Sequence, residues 1–334
     1  MSTSRTREKA DKVTFTQTEV TAKDTAARAG RKNLIINGGF DVWQRSTAAT
    51  SYGNYASADR WKQITAGEVS KVVDGDRNTV LKLVTSTGQS PNRISQYLEA
   101  PARLKGKTLT LSFWMKTSEV LTLDINFWLG DAAGNYPVYG KTGGSAGNST
   151  ALGGSTSTSW TKYTTSVVIP SYTEYTNGTD KLEINIGVVN GTAAGKSIYY
   201  DDIQLEVGSV ATDFEHRSYG EELALCQRYY YQDTTRHYRP SFLDGSGNYP
   251  TVFVEHPVPM RATATGAFLQ ASDFYYNYNG SSYSQFTPNP NSISWNGDNK
   301  GGSLRYNAVS NGQGAGKAMI VGIWYTRLKF NAEL

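Results

Sequence analysis

Ser197 to Gln232 reads SIYYDDIQLEVGSVATDFEHRSYGEELALCQRYYYQ, and this stretch decides the fold because it closes one β-rich region and opens the next. From Ser197 to Val207, β-branched and aromatic residues (Ile198, Tyr200, Ile203, Leu205, Val207) recur as they do in a strand with one buried face. Ser218 with Glu221 three residues on makes a capping box. After it Leu223, Cys226 and Tyr230 recur at helical spacing, with Leu225 and Tyr229 beside them. A strand, a short turn and a helix follow one another, so the stretch is a hinge between two domains.

Outward toward the N-terminus, further strands are expected at Glu68 to Val73, Val80 to Val84, Ser95 to Leu98, Thr108 to Lys116, Leu121 to Leu129, Thr161 to Ile169 and Leu182 to Val189. Their spacing, and the turns at Asp74-Gly75, Asn177-Gly178 and Asn190-Gly191, fit a two-sheet jelly roll. The run Leu34 to Ile36 reads as a strand entering a turn at Asn37-Gly38-Gly39 that needs positive φ. Toward the C-terminus a second core is expected from Thr251 to Glu255, Ala267 to Leu269, Ile293 and Ala318 to Tyr325, with Pro257 and Pro259 bounding the first of these. The 33 glycines, 22 tyrosines and 38% hydrophobic content agree with many short strands and turns. The fold class is all-β: an extended arm over 1–32, a jelly-roll β-sandwich over 33–215, a short linking helix over 216–232 and a β-sandwich-like tip over 233–334.

The opening stretch, with NLIINGGFDVWQR (Asn33 to Arg45), YASADRW (Tyr55 to Trp61) and HPVPMRATATG (His256 to Gly266), resembles bacteriophage tail fibre or receptor-binding proteins that carry a carbohydrate-binding-module-like jelly roll. The likeness runs in order from Asn33 to Arg261. It implies that NGGF and DDIQLE lie side by side, and that the chain is a virion protein of the phage tail, assembled in the host cytoplasm. It also implies a homotrimer that touches the host surface. A small β-domain exposes edges that such a trimer covers, and Leu223, Cys226 and Tyr230 are the candidates for the three-fold contact. No cofactor is required; the ion that the resemblance offers is a structural calcium at Asn37, Gly39, Asp41 and Asp202, where carbonyls and two carboxylates supply hard oxygens. The competing reading of Asp201 and Asp202 is a plain strand-edge pair.

Charge narrows the partners. Residues 1–32 carry eight Lys/Arg against four acids, whereas the rest has 25 of each, so the net charge of +4 sits in the arm. Such an arm buries too little apolar surface to fold alone. It is either a solvated tail or the part that orders against another tail or baseplate protein. It lacks the interleaved aromatics of a nucleic-acid binder. No apolar run is long enough to span a bilayer, and no signal-peptide core is seen, so neither membrane insertion nor secretion is expected.

Catalytic patterns are thin. Gly143-Gly144-Ser145-Ala146-Gly147 matches G-x-S-x-G but lacks the strand and helix a nucleophile elbow needs. His216, His237 and His256 show no metal-ligand spacing, and the lone Cys226 reads as a small buried residue. A sugar site calls for exposed aromatics beside amides. Trp43, Trp61, Trp114 and Trp128 sit in or beside strand patterns and are assigned mostly to the core. Tyr136, Tyr139 and Trp160 are candidates in the first domain. Tyr275, Tyr276, Tyr278, Tyr283 and Trp295, interspersed with asparagines, are candidates in the second. The expected function is non-enzymatic, multivalent attachment to host surface polysaccharide or lipopolysaccharide through the tip. A polysaccharide depolymerase and a purely structural virion protein are the alternatives.

Overall fold

The structure is a computed structural model that describes residues 32–50, 54–64, 67–75, 77–86, 92–99, 101–130, 138–139, 154–169, 181–189, 192–233, 237–243, 250–268, 274–277, 284–286, 293–306, 318–323 and 328–333. The expected arm lies outside them, apart from Lys32. So do Tyr136, Tyr278, Tyr283, the Gly143 to Gly147 match and the Asn177-Gly178 and Asn190-Gly191 turns.

The first eleven strands are β1 (Ala48–Ala49), β2 (Lys62–Gln63), β3 (Glu68–Asp74), β4 (Arg77–Val84), β5 (Asn92–Leu98), β6 (Thr108–Thr117), β7 (Leu123–Gly130), β8 (Val138–Tyr139), β9 (Thr161–Val168), β10 (Lys181–Val188) and β11 (Ser197–Val207). They form two antiparallel sheets, β1-β3-β4-β11-β6-β9 and β2-β5-β10-β7-β8. Neighbours in each sheet are mostly distant in sequence, as jelly-roll winding requires. Every strand expected between Glu68 and Val207 is present. The inner faces share one core: Leu111, Phe113, Met115, Tyr200, Ile203 and Leu205 from one sheet meet Ile125, Phe127, Ile184 and Ile186 from the other, none more than 2% exposed. Each such side chain contributes roughly 1.5–3 kcal/mol. The core therefore sets the sandwich, and the outward faces are free to differ.

The opening segment departs from expectation. Residues 33–40 contain no strand; they form a strap tied to β11. Leu34 donates its N–H to the Leu205 carbonyl (2.8 Å) and Ile203 donates to the Gly38 carbonyl (2.9 Å). The Asn33 amide donates to the Ile203 carbonyl (3.1 Å) and accepts from Leu205 N–H (3.1 Å). The reason lies in β11, whose pairing with β6 slips between Asp201 and Gln204, with Asp202 at φ 48°. That bulge turns the Ile203 peptide groups toward the strap. The NGGF and DDIQLE segments are thus adjacent, as the resemblance implies. Positive φ falls on Asn37 (58°) and Phe40 (56°), not on the glycines. Gly38 is needed for another reason: a Cβ there would drive into the Ile203 carbonyl.

After β11, helix α1 (Tyr219–Gln227) begins at Ser218 with the expected reciprocal capping box to Glu221. Ten strands follow: β12 (Tyr230–Asp233), β13 (His237–Leu243), β14 (Pro250–Glu255), β15 (Thr265–Phe268), β16 (Phe274–Asn277), β17 (Ser284–Phe286), β18 (Ile293–Gly297), β19 (Gly301–Tyr306), β20 (Ala318–Ile323) and β21 (Leu328–Asn331). They make sheets β12-β21-β15 and β17-β16-β20-β13-β14-β19-β18.

The helix does not stand free between two bodies. The Glu222 carboxylate accepts from Asn37 N–H, and Arg217 donates to the carbonyls of Ile35 and Asn33. Beyond it, Arg60 pairs with Glu333 and its guanidinium lies 3.5 Å from the Tyr229 ring centre. Arg45 bonds Glu333 at 3.0 Å and lies 3.8 Å from the Tyr230 ring centre. This corrects the expected three-fold contact. Tyr230 starts β12 rather than continuing the helix, and Cys226 (0% exposed) and Tyr230 (6%) are consumed inside the chain; only Leu223 stays half-buried.

Candidate functional site

The five-stranded sheet has one face on the core and one turned away, and the away-facing residues form register rows across β5, β10 and β7. The first row is Tyr97–Glu183–Trp128, the second Ser95–Asn185–Asn126 and the third Arg93–Gly187–Asp124. Lys62 of β2 joins the second row opposite Ser95, and Val138 of β8 joins the first opposite Trp128. Outward positions of an antiparallel sheet ordinarily carry well-solvated side chains. Here Tyr97, Glu183 and Trp128 are half-buried, while Ser95 (0%), Asn185 (3%) and Asn126 (0%) are closed from solvent.

The polar groups are tied in order. Arg93 donates from Nε to Asp124 Oδ2 (2.7 Å), and its Nη2 lies 2.6 Å from the same oxygen. Asn126 donates to Asp124 Oδ1 (2.8 Å). Gly187 is the position that lets Arg93 cross β10, since a Cβ would meet the Arg93 side chain and the Asn92 carbonyl. Burial lowers the pKa of Arg93, and the Asp124 charge opposes this. Burial likewise pushes the Glu183 carboxyl up, against the Ser95 hydroxyl, Lys62, the Tyr97 hydroxyl and Arg93.

Two half-buried aromatic rings with amides in the neighbouring register row suit a ligand with apolar C–H faces and hydroxyls. Glu183 and Asp124 stand two rows and one strand apart, about 14 Å along the sheet at 3.4 Å per residue, beyond the roughly 5–9.5 Å that glycosidase carboxylates span.

None of these residues was singled out from the sequence as a site, and Trp128 had been assigned with the core tryptophans. A signal was present: in LDINFWLG, KLEINIGV and NRISQYL the residues between the apolar ones are amides, acids and aromatics rather than lysines and threonines. The described residues expected to bind sugar have these places. Trp160 stands at the outer face of the other sheet, donating Nε1–H to Asp74 (2.7 Å). Arg77 and Lys116 lie 4.7 and 5.6 Å from its ring centre, as Lys62 lies 5.5 Å from that of Tyr97. Trp295 packs in an aromatic cluster, 4.9 Å from Phe330 and 5.9 Å from His256. Tyr139 pairs in register with Phe127. Tyr275 and Tyr276 lie in β16 opposite Gln285 and Ser284 of β17.

The residues expected to hold calcium have these surroundings. The Asn37 amide is consumed by the Val42 and Asp59 carbonyls and by Val42 N–H, and its own carbonyl accepts from Trp61 Nε1–H (2.8 Å). What is left for a cation is Asp41, whose pKa is raised by burial against Lys71 and His216, with Asp202 and the Gly39 carbonyl. Asp202 is itself 3.3 Å from Arg77. Among the described residues no group of three or more His, Cys, Asp or Glu could hold a metal ion.

No family model matches the sequence, and no curated protein does. Solved structures similar to the chain include a CBM4 module at 18% identity, covering 52% of this chain and 98% of that one with a TM-score of 0.34. Another is the CBM22-1 xylan-binding domain of Paenibacillus barcinonensis Xyn10C at 14% identity, covering 54% and 99% with a TM-score of 0.33. A third is the enzymatically active domain of tailspike protein 4 from bacteriophage CBA120 at 16% identity, covering 53% of this chain and 21% of that one with a TM-score of 0.31.

Proposed function

We propose that this chain binds a glycan on the outward face of the five-stranded sheet, between Tyr97 and Trp128, and that it serves as the receptor-binding component of a phage tail fibre. The observation that carries the glycan reading is the row Tyr97–Glu183–Trp128 beside the buried amides of Asn126 and Asn185. The face offers stacking surface and hydroxyl partners together. In this reading the site lies on the jelly roll and not at the C-terminal tip, where Trp295 is engaged in its own aromatic cluster.

The tail-fibre part rests on the sequence resemblance from Asn33 to Arg261. In that reading residues 1–32 dock on another tail or baseplate protein and the ligand is host surface polysaccharide or lipopolysaccharide. A homotrimer multiplies weak sites into avid attachment. It needs no cofactor, and its subunit contact lies away from Cys226 and Tyr230.

The test is retention of the full chain on soluble xylan, β-glucan and purified bacterial lipopolysaccharide in affinity gels, with light scattering for the oligomeric state. Tyr97→Ala and Trp128→Ala are expected to weaken retention at least tenfold, about 1.4 kcal/mol, and Trp160→Ala less than twofold. Equal loss with Trp160→Ala alone would move the site to the other sheet. New reducing ends would replace binding by depolymerisation, and no retention on any polymer or on intact bacteria would leave a structural virion role.

A further inference from the structure

We infer that Asn126 Oδ1 is the hydrogen-bond acceptor that selects a ligand hydroxyl, and that Arg93 and Asp124 are positioning residues which hold the Asn126 amide in that orientation; this rests on the glycan reading of the same face. Asn126 is 0% exposed, and its Oδ1 has no hydrogen-bond partner among the described residues. A buried amide oxygen left unpaired in a polar site is costly unless a ligand or water hydroxyl fills it.

An amide can present either end, so something must choose. Its NH2 donates to Asp124 Oδ1, and Asp124 Oδ2 is taken by Arg93. Arg93 reaches that oxygen by lying across Gly187, where no side chain obstructs it. A carboxylate only accepts, so the NH2 end of Asn126 must face Asp124 and the carbonyl end must face away. The chain of contacts converts a neutral amide into a fixed acceptor in the second row, about 7 Å along the strands from Tyr97 and Trp128. A hydroxyl of a sugar ring held by those aromatics is the donor it fits.

Asp124→Asn tests the orientation. Arg93 keeps the remaining oxygen, so the new NH2 faces Asn126 and the Asn126 amide turns over, offering a donor where an acceptor stood. Binding is measured on the polysaccharide of the panel that best retains the full chain, by titration calorimetry, with melting curves to confirm folding. Asn126→Ala and Asp124→Asn are each expected to lower the association constant about tenfold. The double variant is expected to lose no more than either alone, because both remove the same acceptor. Should Asp124→Asn fail to fold, Arg93→Met with Asp124→Leu removes both charges together and is expected to show the same loss. Unchanged affinity of Asn126→Ala, or losses that add in the double variant, would overturn the assignment while leaving the glycan reading intact. A full chain that binds no polymer would overturn both.

Discussion

Glu333 joins the last described segment to the jelly roll, and replacing it by glutamine should show how much that joint is worth. Its carboxylate, 5% exposed, takes Arg60, whose side chain is 1% exposed, and Arg45, which is 8% exposed. Arg60 also donates to the Tyr97 carbonyl (2.6 Å) and lies against Tyr229, but it has no other ion pair among the described residues. In Glu333→Gln, Asp59 remains 3.5 Å from Arg45 and Arg60 keeps a buried charge without an anion. Losing one partner of a buried pair costs about 3–5 kcal/mol; glutamine retains one acceptor, so about 3 kcal/mol is expected from urea denaturation at pH 8. The pH dependence gives a second readout. Burial pushes the Asp59 carboxyl up to about 7, opposed by Arg45 and Gln44 N–H and aided by Glu333. In the unfolded chain it titrates near 3.9. The folded chain therefore holds this proton more tightly, and the Asp59 contribution to stability declines as pH rises from about 4 to about 7 and is flat above. Glu333→Gln removes part of the upward push and should narrow that window from its upper end. A loss under 1 kcal/mol with an unchanged slope would refute the view that Glu333 neutralises the buried arginines.

Three further outcomes are expected. Gly38→Ala should cost about 2–3 kcal/mol by overpacking, read as a fall in melting temperature, because the Ile203 carbonyl that meets the new Cβ is backbone and cannot swing away; an unchanged melt would mean the strap is not held that closely. His256, 8% exposed and 4.7 Å from Phe330 with no partner on Nε2 among the described residues, has its pKa lowered by burial. The neutral ring is the folded form, so the His256 contribution to stability should fall as pH drops below about 6.5. His256→Phe should remove that fall, and a wild-type acid slope in the variant would place its source elsewhere. Chelating calcium should leave the melting temperature unchanged, since Asn37 is bonded within the protein; a drop of several degrees that Asp41→Asn abolishes would restore the ion.

Much of the architecture was legible in the chain. Alternation marked the strands of the sandwich because one face of each is buried in a common core, and Ser218 with Glu221 marked a helix start because capping is a contact over three residues. Local chemistry of that kind needs no partner from far away. The helix period, by contrast, carried Tyr230 too far, since its strand pairing with β21 comes from a segment about a hundred residues later. Leu34 to Ile36 looked like a strand and became a strap, because the bulge in β11 offered peptide groups that no sequence pattern announces. The rings chosen for sugar binding were those in polar surroundings along the chain. Tyr97 and Trp128 are brought beside Glu183, one register row from Asn185, by the pairing of β5, β7 and β10. By itself the sequence determined the strands, the capped helix and the all-β class, which depend on neighbours within a few residues. Only the tertiary structure decided the buried Arg60–Glu333 joint and the polar face with its oriented Asn126, because hydrogen bonds and ion pairs between distant strands depend on register and burial.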